Sequence, residues 1–111
     1  MELATAVYGA TRKFPADERF GLTNQLRRAA VSVSSNIAEG RGRLTQRDFL
    51  NFLGVARGSA LEVETQLELA MTPGFGDRRE IESAQQLAVE VGTILNASIA
   101  TIRKNISAKT H

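Results

Sequence analysis

Phe49, Leu53, Ala56, Ala60, Val63, Leu67 and Ala70 recur at alternating spacings of four and three residues. Only an α-helix places such a heptad on one face, and a seam of this kind packs against its neighbours at small crossing angles. Three further stripes accompany it. Leu3, Ala6, Val7, Ala10 and Phe14 predict a first helix from Glu2 to about Lys13, ended by Pro15. Leu22, Leu26, Ala29 or Ala30, Val33 and Ile37 predict a second, closing at Gly40 in the run Gly40-Arg41-Gly42-Arg43. Thr45 with Asp48 three residues on reads as a capping box that opens the heptad helix, and Thr72-Pro73-Gly74 stops it. Asp77 and Glu80 repeat the cap signal before Ile81, Ala84, Ala88, Val91, Leu95, Ser98 and Ile102, which carry a fourth helix to about Asn105. Connectors near residues 40–45 and 73–77 are short enough to make sequential helices antiparallel neighbours. The expected fold is therefore all-α: one antiparallel up-down-up-down four-helix bundle spanning residues 1–111.

Aromatic residues are only 5% of a chain that is 42% hydrophobic, so the interior must be built from Ala, Leu, Val and Ile. There is no Cys, which removes disulfides, thiolate metal sites and cysteine nucleophiles. The only His is His111, at the end of the sequence, so a Glu-x-x-His di-metal bundle site has no ligands, and Ser32, Ser34, Ser35 and Ser59 have no imidazole to activate them. Gly40-Arg41-Gly42-Arg43 lacks the Lys-Ser/Thr ending of a phosphate-binding loop. No cofactor, metal or enzymatic activity is expected. Residues 1–10 show no signal-peptide pattern and no apolar run has the length of a membrane span, so a cytoplasmic protein is expected.

The net charge is only +2, but it is unevenly spread: residues 12–57 hold nine basic and four acidic side chains, residues 58–90 two basic and seven acidic. Arg103, Lys104 and Lys109 follow. Eleven of the fourteen basic residues are Arg, whose planar fork suits phosphate and carboxylate alike. Arg41, Arg43 and Arg47 are the leading nucleic-acid candidates, because a Gly-rich turn joined to a helix start presents guanidiniums and backbone N–H groups together. Arg27 and Arg28 come second, since they could instead be used inside the bundle. Glu62, Glu64 and Glu68 could pair with Arg27, Arg28 or Arg57, Glu62 and Glu64 forming a structural polar network with Asn36 and Glu39, or they could face solvent. For Glu62 the two readings are level; for Glu64, between Ala60 and Leu67, burial is favoured.

Apolar residues exceed what one seam requires. Leu50, Phe52, Leu61 and Leu69 lie off the third stripe, and Leu87, Ile94, Ile99 and Ile106 off the fourth. Either the core is generous or the chain self-associates, and self-association is the favoured expectation. Gly54 and Gly58 form a small-xxx-small pair, read as a close approach to Ala29, Ala30, Ser32, Ser34 and Ser35 on the second helix. On that reading Gly58→Leu overpacks the bundle.

The segments Phe20-Gly21-Leu22, QLRRAAVSVSSNIAEGRGR over residues 25–43, Phe49-Leu50, and Gly58-Ser59 through Glu64-Thr65-Gln66-Leu67 resemble the four-helix bundle proteins encoded in bacterial 23S rRNA intervening sequences. The resemblance is close over residues 7–70. It implies a ring-forming bundle, commonly a homopentamer, similar in fold to the accessory protein of diversity-generating retroelements, which binds nucleic acid and a reverse transcriptase. It supplies no catalytic residues. Thr72-Pro73-Gly74-Phe75-Gly76-Asp77 departs from the Leu-Gly-Tyr type of turn usual in the family. The expected function is a non-enzymatic oligomeric adaptor that binds structured RNA or a ribonucleoprotein through Arg-rich surfaces. The alternative is a protein-interaction scaffold without a nucleic-acid role.

Overall fold

A computed structural model describes residues 2–109, in which four α-helices, α1 (Glu2–Thr11), α2 (Leu22–Arg41), α3 (Gln46–Met71) and α4 (Arg78–Lys109), are joined by tight connections. A short 3-10 turn at Ala16–Glu18 follows Pro15. Helices in contact are α1 with α2, α2 with α3, α3 with α4, and α4 with α1, which is the cyclic order of an up-down-up-down bundle. The rod measures 54 × 20 × 18 Å.

The four helices differ in length, and this divides the core in two. At 1.5 Å per residue α1 is roughly 15 Å long and α4 roughly 48 Å, so α1 can cover only part of its neighbours. Leu3, Val7, Ala10 and Phe14 pack with Leu26, Ala30, Val33, Val63, Leu67, Ile81 and Ala84 in a four-helix half. Leu53, Ala56, Leu95, Ile99 and Ile102 form a second cluster, flanked by Ile37, Phe49, Leu50 and Ile106, to which α1 contributes nothing. That half is built from the end of α2, the start of α3 and the end of α4.

The expected caps form. Thr45 Oγ1 accepts from the Asp48 N–H at 3.1 Å, and Asp77 Oδ1 from the Glu80 N–H at 3.1 Å. The Glu80 carboxylate goes to Lys13 at the end of α1 instead of reaching back to its own cap. At the α3–α4 corner Phe75 N–H donates to Ala70 O and Gly74 N–H to Met71 O, both at 3.0 Å, with Gly74 at φ 75°. This pairing is a Schellman stop. It turns Phe75 onto Phe14, with ring centroids 5.9 Å apart.

Three expectations fail. Gly40 does not end α2, which runs to Arg41 with Gly42 as its cap in a right-handed conformation. Gly40 is buried instead where the end of α2 meets the start of α3: a Cβ there would lie 2.7 Å from Phe49 Cδ1 and 3.0 Å from Phe52 Cβ. Gly54 and Gly58, in contrast, have nothing within 4 Å of a built Cβ, so they are not the close approach of α2 to α3. Ser59, one residue on, makes that contact, its hydroxyl 2.8 Å from that of Ser32. Finally, Ile99 belongs to the core and is not a surplus position, while Leu61, Leu69 and Ile94 are left 55%, 60% and 64% exposed, as expected for residues outside the seam.

Candidate nucleic-acid interface

Arg41 is the last residue of α2 and Arg47 the second of α3, so a connection of four residues, Gly42 to Thr45, sets them at one end of the rod with Arg43 between them. All three are exposed. Arg43 Nη2 meets Glu39 Oε2 at 3.0 Å, and its guanidinium lies over the Phe52 ring at 4.6 Å from the centroid. The pair is solvent-exposed, one turn apart on the chain, and an ion pair of that kind is worth at most about 1 kcal/mol. It orients Arg43 without burying its charge. Among the described residues Arg41 and Arg47 form no ion pair.

The antiparallel order brings a distant segment to the same end. Ile102 packs with Leu53, and Ile106 lies against the same cluster as Phe49, so the last turns of α4 stand beside the first turn of α3. Arg103 and Lys104 are exposed there. Sequence reading counted these cations but did not join them to the turn, because they lie some sixty positions away. The available signal was the helix order itself, which places the end of the fourth helix with the second connector.

The backbone contributes less than the residue pattern suggests. The Asp48 N–H is already taken by Thr45, and the Asp48 carboxylate occupies the first turn of α3, where it competes with an incoming anion. Guanidinium and ammonium groups therefore dominate the anion-binding capacity of this end.

The remaining candidates lie elsewhere. Arg27 is half-buried: its Nε donates to Thr11 Oγ1 at 2.9 Å and its guanidinium covers the Tyr8 ring at 4.7 Å, fastening α1 to α2. Arg28 is exposed on the outer side of α2. Asn36 donates from Nδ2 to Ser32 O at 2.8 Å and to Ser32 Oγ at 3.0 Å, joining the Ser32–Ser59 contact. Glu39 turns to Arg43. Glu62 is exposed and Glu64 half-buried, and neither is in an ion pair among the described residues. The four residues expected to form one network are thus divided: α3 hydrogen-bonds to α2 through Ser59 and Gln66, while Glu62 lines the open α2–α3 groove with Arg28 without forming an ion pair among the described residues.

No group of three or more metal-ligating side chains is assembled among the described residues, and His111 lies outside them. Among the described residues no helix is long and apolar enough to cross a membrane.

Residues 1–97 match the sequence model of the 23S rRNA-intervening sequence protein family. Comparison with curated proteins gives no match. Among solved structures, the chain is similar to a protein with unknown function from the S23 ribosomal protein family of Bacteroides thetaiotaomicron. The two superpose with a TM-score of 0.78 at 25% identity, over 88% of this chain and 92% of that one.

Proposed function

The chain belongs to the 23S rRNA-intervening sequence protein family, and from that premise we propose that it is a non-enzymatic, self-associating adaptor whose basic end binds structured RNA or a ribonucleoprotein. The observation that carries the reading is the gathering of Arg41, Arg43, Arg47, Arg103 and Lys104 at one end of the rod from two separate segments. Five exposed cations with two nearby acids, Glu39 and Asp48, suit a phosphate backbone. Arg supplies paired donors and Lys a point charge, and such contacts position a nucleic acid without reading its sequence. Self-association is supported by the exposed Leu61, Leu69 and Ile94. It would repeat the basic end in each copy, so that contacts too weak singly could sum on an RNA long enough to span them.

Filter binding of a structured RNA over a series of salt concentrations tests this. Affinity should fall steeply with salt, and each phosphate contact removed should flatten the logarithmic slope by roughly 0.7 to 0.9. Replacing Arg41, Arg43 and Arg47 together by Gln should weaken binding and flatten the slope. Arg103→Gln with Lys104→Gln should do the same to a smaller extent. Unchanged affinity and slope in a folded triple variant would remove the basic end as the site and leave the scaffold reading.

A further inference from the structure

Two grooves lie on opposite sides of the bundle. One, of about 530 Å³, runs along the α1–α2 face, where Arg27 and Arg28 flank Tyr8 and Val31. The other, of about 500 Å³, runs along the α3–α4 face, where Glu64 and Glu68 flank Leu69 and Val89. Each presents two large apolar side chains that folding leaves substantially exposed: Tyr8 at 42% and Val31 at 43% on one face, Leu69 at 60% and Val89 at 49% on the other. Their charges are opposite.

The grooves also sit at the same height along the rod. The Ser32–Ser59 and Gln25–Gln66 hydrogen bonds fix the antiparallel register of α2 on α3 and put Arg28 level with Val63. The Gln85–Glu68 hydrogen bond fixes α4 on α3 and puts Val89 level with Glu64. The basic and acidic grooves are therefore offset by no more than about one helical turn, roughly 5 Å.

We infer that the α1–α2 groove of one copy of this chain docks on the α3–α4 groove of the next, with Arg28 facing Glu64 and Glu68, and Tyr8 and Val31 against Leu69 and Val89. The inference rests on the reading that the chain self-associates, and specifies the surfaces that do it. A contact between two different faces is heterologous, and it closes into a ring only if successive copies are related by rotation without translation along the axis. Matched heights of the two faces are what that condition requires. A self-complementary pairing would instead set Arg28 against Arg28, or Glu68 against Glu68, and is disfavoured by like charge.

Sedimentation of the full chain and its variants tests the pairing, with circular dichroism melts to show that each is folded. The parent should sediment as a multiple of the 12.0 kDa chain mass. Arg28→Glu and Glu68→Arg, both at exposed positions, should each shift the assembly towards monomer, and the double variant should recover it at least in part. Leu69→Asp should also give monomer. Mixing Arg28→Glu with Leu69→Asp leaves one intact face on each chain and should yield a species of twice the chain mass and nothing larger. A monomeric parent would overturn self-association itself. A multimeric parent whose single variants remain fully assembled would overturn this choice of faces alone, as would a mixture that stays monomeric.

Discussion

Gly40 and Gly58 differ in what a methyl group would meet, and opposite outcomes are expected for the same substitution. At Gly58 nothing lies within 4 Å, so Gly58→Ala should stabilise the chain by about 1 kcal/mol, the helix-propensity difference. At Gly40 the nearest ring carbon could swing away, but Phe52 Cβ at 3.0 Å is fixed to its own backbone. Gly40→Ala should therefore destabilise by about 1–3 kcal/mol despite the better propensity. Denaturant melts of the two variants decide both. Asp77 supplies a pH-dependent counterpart. The Glu80 backbone N–H it accepts holds its carboxyl below the ordinary value of 3.8, with smaller contributions from the Arg79 N–H and from the Lys13 and Arg79 charges, against a partial opposing effect of desolvation. A depressed folded-state pKa gives stability that is present above the unfolded value and is lost as pH falls through the folded one. Asp77→Ala should lower Tm at neutral pH and leave a smaller loss of Tm between about pH 5 and the acid limit.

Among the helices, α1 depends most on its neighbours. Ten residues are too few for a stable helix in isolation. Leu3, Val7 and Ala10 supply its apolar anchor, while Arg27 holds its far end through Thr11 and Tyr8. Losing a charged hydrogen bond and a cation–π contact at a half-buried site should cost about 1–2 kcal/mol. Arg27→Ala should therefore speed amide hydrogen exchange in α1 well beyond any change in α3, whose seam lies in both halves of the core. Equal acceleration across all four helices would mean that α1 opens only with the whole bundle. Arg27 is accordingly a fastening for α1, and the lost protection should appear without a change in the salt dependence of RNA binding.

At the scale of the whole molecule, the basic end and the two lateral grooves occupy separate surfaces, and the RNA binding and pairing of copies proposed for them should respond differently to salt. Phosphate contacts release condensed counterions and weaken linearly with the logarithm of salt. The proposed lateral pairing would combine two opposed charge sets with apolar burial, of which only the charged part is screened. Raising salt from 50 to 500 mM should thus strip RNA from the assembly before the assembly dissociates, with mass and bound RNA followed together by light scattering and absorbance. Dissociation into chains at or before RNA release would mean that charge dominates the contact between copies.

The heptad of α3, the stripes of the other helices and the caps at Thr45 and Asp77 were legible in the residues, because periodicity and capping are local properties that a helix expresses wherever it packs. The family was legible as well, in the phrase running from Gln25 to Arg43. Three things were decided only by tertiary structure. Whether a glycine marks a helix end, a close approach or an open surface depends on what another helix places opposite it, and Gly40, Gly54 and Gly58 all read differently once α3 is docked. The partners of Arg27 and Glu80 were set by the short α1 packing between α2 and α4, a contact no spacing within one helix encodes. The basic end arises because an even number of antiparallel helices returns the end of α4 to the α2–α3 connection, so cations some sixty positions apart in sequence come to share one surface.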